Sequence, residues 1–173
     1  AITQALQDMP LGGQWLSHPT QSIGVAVEDT LMWEENSPRL QSIYGALIPL
    51  IEKGVPVNSF VMERAGEPDY RNRFKVIVLS YEQFKPKYVS MNLSLVNWVK
   101  NGGVLVVLGP YGDELDSCND FWWHDLGYNS ALEHLIAKLG GVASDNANWE
   151  VGDGWVLRRQ KSASDFADSY WAE

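Results

Sequence analysis

The sequence predicts an α/β fold in which a mostly parallel β-sheet carries helices on both faces. Short apolar runs recur along the 173 residues, and helix-length segments separate them, as in βαβ units. These runs are apolar at nearly every position, which is typical of strands buried on both sides of a parallel sheet. Apolar residues make up 45% of the chain, enough for the core of one domain.

The first half of the chain supplies two predicted strands and one predicted helix. Residues Ile23 to Val27 (IGVAV) form the first strand, and Val55 to Met62 the second. Between them, Asn36-Ser37-Pro38 is a helix start with a capping side chain and an early proline. An apolar stripe at helical spacing follows: Leu40, Ile43, Tyr44, Leu47, Ile48 and Ile51. We expect Pro49 to kink this helix and Gly54 to end it.

The middle of the chain supplies the two most apolar strands. They are Lys75 to Leu79 (KVIVL) and Val104 to Leu108 (VLVVL). The polar stretch 63–73 is predicted as a loop or a short helix, and Val89 to Lys100 as a helix ended by Gly102-Gly103. Helices on both faces of four parallel strands indicate a flavodoxin-like three-layer sandwich.

The remaining segments are predicted with less regular structure. Residues 109–128 form a long irregular insertion, and Ser130 to Leu139 a helix ended by Gly140-Gly141. A Gly-Asp-Gly turn within Trp149 to Arg159 indicates a hairpin or an edge strand, and Ala163 to Trp171 is expected to be a closing helix. We interpret residues 1–22 as an N-terminal arm or linker, and 23–173 as the domain.

Charge and composition exclude several classes of partner and site. The formal net charge is −9, so a nucleic-acid backbone or an anionic membrane surface would be repelled. The sequence contains no apolar run of the ~18 residues that span a bilayer. Cys118 is the only cysteine, which excludes an intrachain disulfide and a zinc site built from cysteines.

A ligand of a parallel α/β sheet binds beyond the carboxyl ends of the strands. The predicted strands place acidic and aromatic side chains there, which form a possible rim for a ligand or partner: Glu28, Asp29, Trp33, Tyr81, Tyr111, Asp113, Glu114, Trp122, Trp123 and His124. The turn after the first strand, Glu-Asp-Thr, has no glycine and two negative charges. This argues against a phosphate-binding loop and against a flavin, and we predict no cofactor.

Each part of this rim has a structural and a functional interpretation. Glu28-Asp29 is half of a carboxylate pair acting on a sugar, or a solvated strand end. Asp113-Glu114 with Asp116 is a cation site, or the acidic start of a helix. His124-Asp125 with Cys118 is a Cys–His pair, or a set of neighbours in sequence only. The Trp122-Trp123 pair stacks on a sugar, docks on a partner, or is buried over the sheet end. No metal ligand set is predicted.

Several motifs in this order resemble a known family. They are K-V-I-V-L-S (75–80), a helix ending in W-V-K-N-G-G (98–103), a strand ending in L-G-P (108–110), V-G-D-G-W-V-L-R-R (151–159) and S-A-S-D-F-A (162–167). The chain is similar to class I glutamine amidotransferase-like domains over roughly residues 22–168. It is most similar to the trimerisation-type middle domain of family 42 β-galactosidases and related large glycosidases.

The resemblance implies a fold without the family's hydrolase chemistry. In active members, the strand corresponding to Val104–Leu108 leads into a G-x-C-x-G elbow that carries the nucleophile. The segment L-G-P-Y-G (108–112) places Pro110 at the cysteine position, and proline has neither a nucleophile nor a backbone N–H. No His-x-Glu pair follows near the end of the chain, and we expect His134 to face solvent or to pack.

The function implied by the resemblance is that of a non-catalytic α/β module in a larger carbohydrate-active enzyme. Such domains shape an oligomer or wall off part of a neighbouring barrel's active site. The implied partners are neighbouring domains, a homo-oligomer or carbohydrate, and the implied location is extracellular or periplasmic. Two alternatives stay open: a stand-alone hydrolase of the ThuA-like type using Glu28, Asp113 and His124, and an interaction domain that docks through Trp122 and Trp123.

Overall fold

The computed structural model describes residues 22–27, 46–82, 84–110, 114–118, 120–142, 146–163 and 165. The predicted arm (1–22) lies outside this set except for Ser22, as do the predicted helix start at Asn36-Ser37-Pro38 and most of the predicted closing helix. Within the described residues, no helix combines the length and apolar content needed to cross a membrane.

The described strands form one six-stranded sheet, and the predicted mostly parallel α/β architecture is confirmed. The strands are β1 (Ile23–Val27), β2 (Asn58–Val61), β3 (Val76–Ser80), β4 (Val104–Leu108), β5 (Ala147–Val151) and β6 (Gly154–Arg158). Their order across the sheet is β2-β1-β3-β4-β6-β5. All neighbours are parallel except β5 and β6. The second strand is shorter than predicted, because it begins at Asn58 instead of Val55 and because Met62 already begins a 3-10 turn.

The described helices connect these strands. They are α1 (Leu47–Glu52), α2 (Pro68–Arg71), α3 (Val89–Lys100), α4 (Trp122–Asp125) and α5 (Ala131–Lys138). Gly54 ends α1 as predicted, at φ 77° with its N–H donating to the Ile51 carbonyl oxygen. The hydroxyl of Ser130 accepts from the N–H of Glu133 at 3.0 Å and caps α5. The insertion at 109–128 is more regular than predicted, because it contains the 3-10 turn Glu114–Ser117 and α4.

Two hydrophobic clusters lie on opposite faces of the sheet, because successive strand residues point to opposite sides. The larger cluster includes Ile77, Leu79, Leu105 and Val107 from the central strands, together with apolar residues of α3 and α5. The smaller one includes Val78 and Val106 from the same strands, together with Leu50 of α1 and Ala163. Both faces of the central strands are therefore covered, which explains why their sequences are apolar throughout.

The predicted hairpin at the end of the domain is confirmed as β5 and β6. Gly152 takes φ 62° in the turn between them, a left-handed conformation that glycine adopts without strain. On one face of the hairpin, Trp149 packs against the larger cluster and donates from Nε1 to the Leu139 carbonyl oxygen at 2.8 Å. The hairpin is thus anchored to the end of α5.

Candidate functional site

The carboxyl ends of β3, β4 and β6 meet at one edge of the sheet. Ser80 pairs with Leu108 across the β3–β4 boundary, and Val107 pairs with Arg158 across the β4–β6 boundary. This register brings Ser80, Gly109 and Arg158 together just where parallel α/β sheets bind their ligands. The sequence predicts that Pro110 lies at this same edge.

Gly109 forms a tight turn directly before Pro110. Its φ is 98°, and a Cβ at this position would lie 2.8 Å from Cγ of Glu82. The N–H of Gly109 donates to the Lys161 carbonyl oxygen at 2.7 Å. Its own carbonyl oxygen accepts from Nη2 of Arg158 at 2.8 Å. Both backbone polar groups of the turn are therefore occupied by the protein itself.

Arg158 is fully buried behind this turn. Its guanidinium donates to the carbonyl oxygens of Gly109, Val107 and Arg159. Burial lowers the pKa of Arg158, and the negative charge of Glu82 opposes that shift. An arginine remains protonated at neutral pH even so. Arg158 thus places a buried positive charge under the end of β4.

Glu82 links the sheet edge to the segment that follows β6. Its Oε2 accepts from the Ser80 hydroxyl at 2.8 Å and from the Ala163 N–H at 3.2 Å. A hydroxyl hydrogen-bonded to a carboxylate is a minimal nucleophile–base pair, but here the same carboxylate oxygen also holds a backbone N–H. This geometry fits a role for Glu82 in holding residues 161–163 in place better than a role in activating Ser80.

An almost buried ion pair lies at the same edge and joins Lys85 to Asp116 of the insertion. Nζ of Lys85 lies 2.9 Å from Oδ1 of Asp116, and the two side chains are 6% and 9% exposed. A cavity of about 10 Å³ lies beside them, bounded also by Tyr81, Glu82 and Pro110. That volume holds about one water molecule, so this cavity has no room for an organic substrate.

Three predicted rim residues are packed into the protein. Tyr81 is buried, and its hydroxyl donates to Oδ1 of Asn92 at 2.5 Å. Trp123 is fully buried and stacks on Phe121 with ring centroids 4.3 Å apart. Trp122 is half-buried and donates from Nε1 to the Pro86 carbonyl oxygen at 2.7 Å. Of the three interpretations of the Trp122-Trp123 pair, burial agrees with the complete burial of Trp123 and the partial burial of Trp122.

Of the remaining predicted residues, those that the structure describes do not converge on one pocket. Nε2 of His124 donates to the Asp116 carbonyl oxygen at 2.8 Å, while Cys118 is exposed. Pro110 is exposed at the surface of the edge. Glu28, Asp29, Trp33, Tyr111 and Asp113 lie outside the described residues, and so does the side chain of Glu114. Among the described residues, no group of three or more His, Cys, Asp or Glu side chains could hold a metal ion.

His134 is buried, so it packs inside the protein, which is one of the two placements expected for it. The Trp122 and Tyr128 rings each meet it edge-on at 5.0 Å. Its Nδ1 lies 3.2 Å from Nδ2 of Asn92, which also donates to the Ala131 carbonyl oxygen. Burial, with a smaller contribution from the charge of Lys138, lowers the pKa of His134.

Sequence reasoning did not single out Arg158, or the pairing of Lys85 with Asp116. The one available signal for Arg158 is a charged residue that ends a strand of otherwise β-prone residues. Comparison with known proteins adds no assignment: no family model, curated protein or solved structure matches the chain.

Proposed function

We propose that the chain is a non-catalytic α/β module of a larger carbohydrate-active enzyme, serving in domain packing, oligomer contacts or sugar contact. The observation that carries this proposal is that the described residues at the carboxyl end of β4 bind one another and leave only a small cavity. Pro110 offers no nucleophile there, and the backbone groups of Gly109 bind Lys161 and Arg158. The adjoining cavity of about 10 Å³ has no room for a substrate.

We further propose that the fold is a flavodoxin-like three-layer sandwich of the class I glutamine amidotransferase-like type. Its support is the order β2-β1-β3-β4 followed by a further parallel strand, β6, since a flavodoxin-like sheet has the order 2-1-3-4-5. Strand β5 then adds an antiparallel edge. The hydrophobic clusters on the two sheet faces agree with this arrangement.

The two alternative functions are less well supported by the described residues. A ThuA-like hydrolase needs convergent catalytic groups, and His124 instead donates to a backbone carbonyl oxygen. An interaction domain using the insertion needs accessible rings, whereas Trp123 is fully buried and Trp122 is half-buried.

The proposal is tested with three measurements on the purified chain. We expect no hydrolysis of amide, ester or aryl-glycoside substrates, together with either self-association in sedimentation velocity or retention on a saccharide. A monomer that binds no saccharide and hydrolyses one of these substrates would contradict it. The Glu82→Gln variant then shows whether such hydrolysis uses the Ser80–Glu82 pair, and Pro110→Ala serves as its matched control.

A further inference from the structure

One side of the β5–β6 hairpin carries polar and aromatic side chains beside Leu157, which packs against the smaller hydrophobic cluster. Glu150 pairs with Trp155, and Asn148 pairs with Leu157, so these side chains share one face. Trp149 and Val156 pair on the opposite face, which packs on the larger hydrophobic cluster. Arg159 continues the outer face two residues beyond Leu157.

Trp155 is the most accessible of the five described tryptophans. Its side chain is 44% exposed, whereas Trp98 and Trp123 are buried. Trp122 and Trp149 are half-buried, and both use Nε1 in hydrogen bonds to carbonyl oxygens. Trp155 therefore presents an indole surface to solvent that the others do not.

The polar groups beside this indole include both hydrogen-bond donors and hydrogen-bond acceptors. Glu150 and Asn148 are exposed, and they supply a carboxylate and an amide. Nη1 of Arg159 donates to Oδ1 of Asn148 at 2.7 Å and to the Arg158 carbonyl oxygen at 2.8 Å. These bonds hold the amide and the guanidinium in fixed positions along the row.

The backbone under the row is also fixed. The N–H of Trp155 donates to the Gly103 carbonyl oxygen at 3.1 Å, and the N–H of Asp153 donates to the Lys100 carbonyl oxygen at 3.0 Å. Together with the Trp149 anchor on Leu139, these bonds tie the hairpin to α3, β4 and α5. A ligand would thus meet a preorganised surface, which reduces the entropic cost of binding.

We propose that the row Trp155, Glu150, Asn148 and Arg159 binds a carbohydrate chain, with one sugar ring lying on the Trp155 indole. A sugar ring has an apolar C–H face and a rim of hydroxyl groups that both donate and accept hydrogen bonds. The row matches both properties, and it is roughly 13 Å long from Trp155 to Arg159. It therefore accommodates an oligosaccharide rather than a single ring. This inference rests on the sugar-contact role within the proposed function.

Other classes of occupant fit the row less well. The core of a protein interface is apolar and depleted of charged residues, whereas the face around Trp155 carries Glu150, Asn148 and Arg159, and its apolar Leu157 packs against the smaller cluster. A nucleic acid would meet Glu150 and the net charge of −9, both of which repel phosphate. A neutral sugar avoids both penalties.

The test is titration of the purified chain with linear hexasaccharides of β-1,4-linked glucose, galactose, xylose and mannose, followed by calorimetry and tryptophan fluorescence. We expect at least one hexasaccharide to bind, and we expect Trp155→Ala to lower its affinity by about tenfold, or ~1.4 kcal/mol. Trp155→Phe, which keeps a ring, is expected to retain part of the affinity. Tyr88→Ala is the matched control, since Tyr88 is 55% exposed and lies before α3, away from the row.

Two results would overturn the inference, and they differ in what they imply for the proposed function. If a hexasaccharide binds equally to the wild type and to Trp155→Ala, the sugar site lies elsewhere and the proposed function stands. If none of the four binds at millimolar concentration, the row is not a site for such chains. Sedimentation velocity then decides whether the roles in packing and oligomer contacts survive.

Discussion

Nη2 of Arg158 lies 2.8 Å from the carbonyl oxygen of Gly109 and donates a hydrogen bond to it. This bond joins the last residue of β6 to the first residue after β4. An internal guanidinium therefore occupies the backbone carbonyl of the turn that follows β4. The edge is therefore held by the protein's own charges and needs no ligand to satisfy them.

Replacing Arg158 should destabilise the domain through this edge. Arg158→Met leaves the buried carbonyl oxygen of Gly109 without its guanidinium donor and removes the positive charge that interacts with Glu82. We expect a loss of about 2 to 4 kcal/mol in the free energy of unfolding, measured by urea denaturation. Arg158→Lys, which keeps the charge, should lose less. Equal stability of Arg158→Met and the wild type would contradict the buried network.

A substitution at Gly109 separates backbone strain from crowding. Gly109→Ala forces φ 98° on a residue with a Cβ and pushes that Cβ against Glu82, so we expect a loss of about 2 kcal/mol or more. Gly140→Ala is the matched control, since Gly140 has φ 78° and nothing within 4 Å of its Cβ position. Its loss reports strain alone and should be smaller. Equal losses, measured by urea denaturation, would show that contact with Glu82 is unimportant.

The regular elements could be predicted because their signals are local. The helix Val89–Lys100 and the strand Val104–Leu108 have the predicted bounds, since periodicity and the Gly102-Gly103 stop lie within each segment. The Arg158–Gly109 contact could not be predicted, because it depends on β6 lying beside β4 in the sheet. No pattern within either segment encodes that neighbour.

The tryptophans show the same limit for the candidate site. Sequence places Trp122 and Trp123 after a strand end, but only packing against Phe121 and His134 determines how deeply they are buried. Trp155 lies in an ordinary β-prone run, and its exposure depends on its place opposite Glu150, at the end of the hairpin face that Leu157 shares. Composition gives the number of aromatic residues, whereas the tertiary structure decides which of them a ligand can reach.

The buried hydroxyl of Tyr81 should matter for stability. Tyr81→Phe removes the donor to Oδ1 of Asn92, a fully buried side chain. We expect a loss of about 1 to 3 kcal/mol in urea denaturation. In an Asn92→Leu background, the further effect of Tyr81→Phe should be much smaller, because the acceptor is already absent. An undiminished effect in that background would mean that the hydroxyl acts through another group.

His134 should make the stability of the domain depend on pH in mildly acidic solution. Its pKa is lowered by burial and then by Lys138, so the unfolded chain binds a proton at higher pH than the folded one. The contribution of the neutral His134 to the free energy of unfolding is then fully present above about pH 6.5, the ordinary histidine pKa. It falls as the pH drops from there towards the lowered folded value.

The measurement is the free energy of unfolding between pH 7.5 and pH 5 for the wild type and His134→Gln. We expect the variant to show a smaller decrease, because it lacks the proton that the unfolded wild type takes up. Each variant is compared with the wild type at every pH. If His124→Gln removes the slope and His134→Gln does not, the assignment to His134 is wrong.

Gly154 should be the least replaceable residue of the hairpin. A Cβ there would collide with the backbone carbonyl oxygens of Val99 and Gly103, which cannot move aside as a flexible side chain can. Gly154→Ala must therefore shift β6 away from α3 and β4, and we expect a loss of at least about 2 kcal/mol. Gly66→Ala is the control, because the nearest atom to its Cβ position is Oγ of Ser94 at 3.9 Å. Urea denaturation should find the Gly66→Ala control within ~1 kcal/mol of the wild type. If Gly154→Ala is as stable as this control, the close contact of the hairpin with α3 is not required.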